Sequence, residues 1–168
     1  DTGEGVLEDD KQAVYWYTKA AEQGEAVAQF VLGLMYSNGE GVPEDDTEAA
    51  KWYRKAAEQE HMQAQYILGV MYDNGEGIPE DDAEAVKWYR KAAEQGLAGA
   101  QSNLGGAYDD GIGVPEDDTL AYMWWNLAAA QGDEDAKRNK SIISKVMTKE
   151  QIAEAQKMSR EWMARRQE

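Results

Sequence analysis

Apolar residues recur along this chain at spacings of three and four, in short blocks closed by glycine. In 62–73 the set Ala64, Ile67, Leu68, Met71 and Tyr72 falls on one side of a helix. A turn follows, running from Asn74 through Gly75, Glu76, Gly77 and Ile78 to Pro79. Its glycines permit positive φ and its proline bars helix continuation. The helical spacing then resumes with Ala85, Trp88, Tyr89, Ala92 and Ala93, with Lys87, Arg90 and Lys91 on the outer side, and stops at Gly96. The pattern predicts two short helices joined by a glycine-rich turn.

That pair is a repeat. Residues 26–61 and 62–97 agree at 25 of 36 positions, and 98–133 follow the same plan more loosely. Residues 1–25 align with the second part of a unit, since Gly3, Gly5 and Trp16 match Gly39, Gly41 and Trp52. A loop and a second helix are therefore expected there, and a missing first part, with any leader it carried, is expected before it. A fixed period of this length marks an array in which each unit buries its apolar face against its neighbours.

The punctuation repeats as well. Asp45 with Glu48 and Asp81 with Glu84 fit a capping box, Asp9 with Gln12 is a variant, and Asp117 keeps the cap although Leu120 replaces the acid. Each cap contributes about 0.5–2 kcal/mol. Gly24, Gly96 and Gly132 stop the second helices. Glu60 stands in the same place, where a weaker or differently shaped stop is expected. Gly33, Gly69 and Gly105 interrupt the first helices at a cost of about 1 kcal/mol each, which predicts close approach of a neighbouring helix. Val42, Ile78 and Val114 read as loop anchors, and Trp16, Trp52, Trp88 and Trp124 as core.

Beyond 133 the plan changes. Lys140 and Ser141 replace the expected Leu and Gly, and Thr148 with Gln151 starts a last helix by a capping box. Ile152, Ala155, Met158, Ser159 and Trp162 share one of its faces. The expectation is one domain over 1–168: a partial unit at 1–25, full units at 26–61, 62–97 and 98–133, and a terminal pair, 134–147 and 149–166, that seals the stack.

The combination of Leu-Gly-x-x-Tyr, a Gly-x-Gly-Val/Ile-Pro loop and Trp-Tyr-x-Lys-Ala-Ala-x-Gln-Gly resembles the Sel1-like repeat family, helix-pair solenoids related to tetratricopeptide repeats. The resemblance covers 1–133. It implies an all-α fold, a right-handed α/α superhelix (solenoid) with a C-terminal capping helix pair. It also implies a non-catalytic adaptor that assembles complexes, in signalling or in contact between bacteria and host. In such solenoids the first helices line the concave surface. That places Phe30, Leu34, Ser37 and Asn38 on it, with Tyr66, Val70, Asp73 and Asn74, then Ser102, Asn103, Gly106, Asp109 and Asp110.

This surface reads as graded, apolar and aromatic first, small and acidic later. Asn38 and Asn74 can donate and accept, as a clamp on an extended peptide requires; Asn before Gly is also a turn signal. Phe30 and Tyr66 fit ligand contact and inter-repeat packing equally. The acids favour Lys or Arg in the ligand. The expected partner is thus another protein, through an extended or helical segment with apolar and basic residues. The alternative is an architectural piece of a longer solenoid. It would self-associate through the half-repeat at the start, where Tyr15, Trp16 and Ala20 lack a covering helix.

Composition narrows the rest. With 33 acidic and 17 basic residues the formal charge is −16, which disfavours nucleic acid and anionic membrane surfaces as partners. No apolar run is long enough to span a bilayer. No signal peptide is visible, and without Cys the compartment stays open between periplasmic or secreted and cytoplasmic. The cysteine-rich secreted members of the family are linked to β-lactam binding or hydrolysis, but they carry a disulfide in each repeat, so that activity is not carried over. His61 is the only His, reads as an exposed residue at a helix end, and cannot build a zinc site without Cys. The loop at Asp73 lacks the alternating ligands of a calcium loop. No cofactor, metal or catalytic residue is expected.

Overall fold

The computed structural model describes the backbone of residues 3–166 and the side chains of 9–166. Among these residues the chain forms nine helices and no strand. They are α1 (Gly3–Glu22), α2 (Ala26–Asn38), α3 (Asp46–Glu58), α4 (Met62–Asn74), α5 (Asp82–Glu94), α6 (Ala98–Asp110), α7 (Asp118–Ala130), α8 (Glu134–Ile143) and α9 (Lys149–Arg165). The architecture is an α/α solenoid of helix pairs. By contacts it divides into two compact units, Asp1–Asp81 and Asp82–Glu168. In the first, α2 packs against α1 and α3, and α3 against α4. In the second, α6 packs against α5 and α7, and α7 against α8 and α9.

Small side chains set the spacing. Ala49, Ala56, Ala57 and Ala64 of the first unit are sealed from solvent, as are Ala92, Ala93, Ala100 and Ala121 of the second. Larger residues interlock where a glycine makes room. A Cβ added to Gly33 would lie 2.7 Å from the ring of Tyr53, and one added to Gly105 would lie 2.6 Å from the indole of Trp125. The glycines were expected to admit a neighbouring helix. What they admit is an aromatic ring from the second helix of the same repeat.

The caps form as read at Asp45 and Asp117, whose carboxylates accept the N–H of Glu48 and Leu120, each at 3.0 Å. The reciprocal half of the Asp45 box does not form, because the Glu48 carboxylate pairs with Lys51 instead. The complete box is at Thr148 and Gln151. Glu60 takes φ 64°, the left-handed conformation that Gly24, Gly96 and Gly132 adopt at the equivalent stops. The stop therefore keeps its shape, at the cost of a strained residue.

Three expectations are corrected. Residues 3–8 are helical within α1, and Asp9 lies inside that helix rather than capping one. The loops that form in the later repeats are seated on a neighbouring helix. A Cβ on Gly41 would stand 2.5 Å from the carbonyl oxygen of Asp10, and Gly77 and Gly113 press equally on Asp46 and Asp82. Each loop rests on the second helix of the preceding repeat, against a residue 31 positions earlier. Second, Trp16 is not core. It is 63% exposed, against 5% for Trp88 and 7% for Trp124. Third, the terminal helices do not form a pair: α9 packs on α7 rather than on α8, and Ala155 and Ser159, both fully buried, allow it to sit close.

A buried amide network, unforeseen from the sequence, ties neighbouring helices within each compact unit. The side chains of Gln29, Gln65 and Gln101 donate to the carbonyls of Ala21, Ala57 and Ala93, each at 3.1 Å. Gln59 and Gln131 donate in turn to the side-chain oxygens of Gln29 and Gln101, at 2.8 and 2.9 Å. Each glutamine adds a second donor to a carbonyl near a helix end that already accepts the N–H of Gly24, Glu60 or Gly96. Its signal was present as glutamines at a fixed period.

Candidate functional site

In the first unit the core takes one side of each first helix, including Ala28, Leu32 and Met35 of α2 and Ala64, Leu68 and Met71 of α4. The predicted surface residues lie outside that set. Phe30, Leu34, Ser37, Tyr66 and Val70 are half-buried, and Asn38, Asp73 and Asn74 are exposed.

Several of these side chains have internal work. Phe30 stacks on the imidazole of His61 with centroids 4.5 Å apart and planes 23° apart, and lies 5.9 Å from the ring of Tyr53. Asn38 donates to Glu40 at 3.0 Å and Asn74 to Glu76 at 3.4 Å, each within its own turn. Ser37 hydrogen-bonds the phenol of Tyr53, whose pKa is pushed up to about 12, mainly by burial. His61 departs from its reading as an exposed residue. It is half-buried, and its Nδ1 accepts the N–H of Ala64 at 3.3 Å as the N-cap of α4.

In the second unit the predicted residues separate. Ser102 and Asn103 are half-buried. Ser102 donates to Asp133 at 3.3 Å, and its carbonyl accepts the Trp125 indole N–H at 3.0 Å. It thereby joins α6 to α7 and to the start of α8. Gly106, Asp109 and Asp110 instead line a groove of about 460 Å³ between α6 and α8. Glu116 and Asp118 close its acidic side from the start of α7. Burial pushes the Asp109 carboxyl up, and Asp110, Asp118 and Glu116 add to the effect. The opposite wall is aliphatic, with Ile142 56% and Val146 78% exposed.

Sequence reasoning found the α6 wall and missed the rest. Ile142 and Val146 lie beyond the last full repeat, where periodicity no longer assigns faces. Their signal is two aliphatics four residues apart in a stretch rich in Lys and Ser. Among the described residues no group of three or more His, Asp or Glu is placed to hold a metal ion, and no helix is long and apolar enough to cross a membrane.

The Sel1 repeat model matches four segments, 1–25, 26–61, 63–97 and 98–133. No curated protein matches the chain. Among solved structures, a Sel1 repeat protein from Oxalobacter formigenes is similar over 76% of this chain and 52% of its own, at 45% identity and a TM-score of 0.73. A protective antigen of uropathogenic Escherichia coli with an SLR fold is similar over 98% of this chain and 35% of its own, at 37% identity and a TM-score of 0.83. Helicobacter pylori cysteine rich protein B covers 80% of this chain with 97% of its own length included, at 26% identity and a TM-score of 0.62. The chain thus spans about half the length of the first of these and about a third of the second. Sel1-repeat proteins generally mediate protein–protein interaction. With the repeat matched across more than half of its residues, the chain belongs to the Sel1 repeat family.

Proposed function

We propose that this chain is a non-catalytic scaffold that holds a segment of another protein on its first-helix faces, the concave side of the solenoid. The observation that carries this reading is the division of labour along α2, α4 and α6. One side of each helix supplies the core, and the other keeps Leu34, Val70 and Asp109 at the surface without a core role. In the first compact unit Leu34 and Val70 suit apolar side chains, and in the second Asp109 suits a basic one. The strongly negative chain would also draw a basic partner toward it.

The test is affinity capture from the source cell by the parent chain and by Leu34→Asp/Val70→Asp, with helicity checked by circular dichroism. A protein retained only by the parent, and then shown to bind directly after purification, supports the reading. Equal retention by both moves binding off this face.

A second reading has its own observation. Tyr15 and Trp16 form an edge-on pair 5.1 Å apart and are both more than half exposed, a patch suited to self-association. Sedimentation of the parent and of Tyr15→Lys/Trp16→Lys across a concentration series decides it: a mass that rises with concentration only in the parent supports the reading, and one mass throughout removes it.

A further inference from the structure

Four carboxylates crowd one side of the α6–α8 groove, and no Lys or Arg lines it. Like charges held this close repel, and a cation placed among them relieves the repulsion. The other side offers Ile142, at the end of α8, and Val146, in the turn that follows, both exposed. Gly106 of α6 also lines the groove, and a Cβ there would meet nothing within 4 Å, so it leaves room for an approaching group.

The polar chemistry of the groove selects a type of backbone. Its carboxylates accept and do not donate, and Asn139 is the one lining amide. An extended peptide would bring carbonyls that find few donors there, whereas a helix satisfies its own backbone and presents only side chains. Aliphatic residues on one face of such a helix can rest on Ile142 and Val146, and a Lys or Arg on the neighbouring face reaches the acids.

We propose that the groove between α6 and α8 is a docking site for a basic amphipathic helix of a partner protein. Its aliphatic side chains rest on Ile142 and Val146, and one Lys or Arg enters among Asp109, Asp110, Glu116 and Asp118. This rests on the scaffold reading and deepens it, because it adds α8 and the start of α7 to the surface and fixes the conformation of the ligand. Docking is linked to protons. The cation favours ionised Asp109, whose carboxyl is held above its ordinary range, so affinity falls as acid protonates it.

The test uses two fluorescein-labelled peptides of identical composition, built from Leu, Arg and Ala. One places Leu at i and i+4 with Arg at i+3, and the other scrambles the order. Equal charge removes the general attraction of the acidic chain from the comparison. Fluorescence anisotropy is expected to show the patterned peptide binding about tenfold more tightly, with Asp109→Asn/Asp118→Asn and Val146→Ser each removing most of that margin. Amide shifts on binding are expected at 106–118 and 139–146, and the margin should shrink at low pH in the parent more than in Asp109→Asn. Equal affinity for the two peptides, or shifts confined to other residues, overturns the proposal. Capture that still depends on Leu34 and Val70 in that event would leave the scaffold reading standing; loss of both would end both.

Discussion

The imidazole of His61 lies nearly flat on the ring of Phe30, 4.5 Å away, while its Nδ1 accepts the N–H that starts α4. One side chain thus serves as a helix cap and as packing for a residue of the proposed binding face. The cap requires the neutral ring. An imidazolium has no lone pair at Nδ1 for the Ala64 N–H, and its charge is unfavourable at the positive end of a helix.

Burial therefore holds the His61 pKa below its ordinary value. The folded state binds this proton less readily than the unfolded chain, so the contribution of His61 to stability is present in full above about pH 6.5 and is lost as pH falls through the lower folded value. As His61 is the only histidine, its ring protons can be followed directly by NMR. The expected midpoint lies below 6.5, and His61→Asp, the residue that caps α8 from position 133, should abolish the histidine step. A midpoint above 6.5 would refute this account.

Glu60 holds a left-handed backbone where three equivalent stops use glycine. Glu60→Gly removes a steric cost of about 1 kcal/mol. Urea unfolding should show stability rising by about that amount with an unchanged slope. A loss of stability would mean that the glutamate side chain contributes more than its backbone strain takes away.

Gly105 and Gly106 are neighbours in one helix with opposite surroundings. Gly105→Ala drives a Cβ into the Trp125 indole, strains its bond to the Ser102 carbonyl, and should cost about 1–3 kcal/mol. Gly106→Ala meets open space and should stabilise α6 by about 0.5–1 kcal/mol through helix propensity. Thermal melts of the two variants should therefore move in opposite directions.

Gln101 donates to Ala93 and accepts from Gln131 inside the second unit, fully buried. Gln101→Leu keeps the volume and leaves both partners without their bonds. A loss of about 2–3 kcal/mol is expected by chemical denaturation. A neutral result would show that the amide network is dispensable to the stack.

The last helix is anchored at its end. The Arg166 guanidinium donates to the carbonyls of Glu94 and Gln95, each at 2.5 Å, and lies 4.8 Å from the Trp162 ring, which in turn meets Trp124 edge-on. Arg166→Ala should raise amide hydrogen exchange across 149–165 while exchange in 98–110 stays unchanged. Uniform change over both segments would show that α9 does not move as a separate element.

How much of this was legible depends on whether a residue's neighbours repeat with it. Period, caps, helix stops and glycine-rich loops act within a few residues, so the helix pairs from 26 to 133 could be read directly. One further signal went unread. On the outer side of the second helices Glu48, Lys51 and Lys55 recur as Glu84, Lys87 and Lys91 but become Leu120, Met123 and Leu127. That exchange of charge for apolar surface marks where α9 lies. Lys55 and Lys91 roof Trp52 and Trp88 at 3.8 and 4.5 Å, whereas Trp124 is covered by Trp162.

The sequence by itself determined the repeating helix pairs, their caps and the all-α class, because backbone conformation and amphipathic spacing are local properties of the chain. Only the tertiary structure decided what touches what at the ends. It made 3–8 part of α1, exposed Trp16, and laid α9 on α7. It also set Ile142 and Val146 across from Asp109. These outcomes depend on which surfaces meet, and a period in the sequence does not say what each surface will meet.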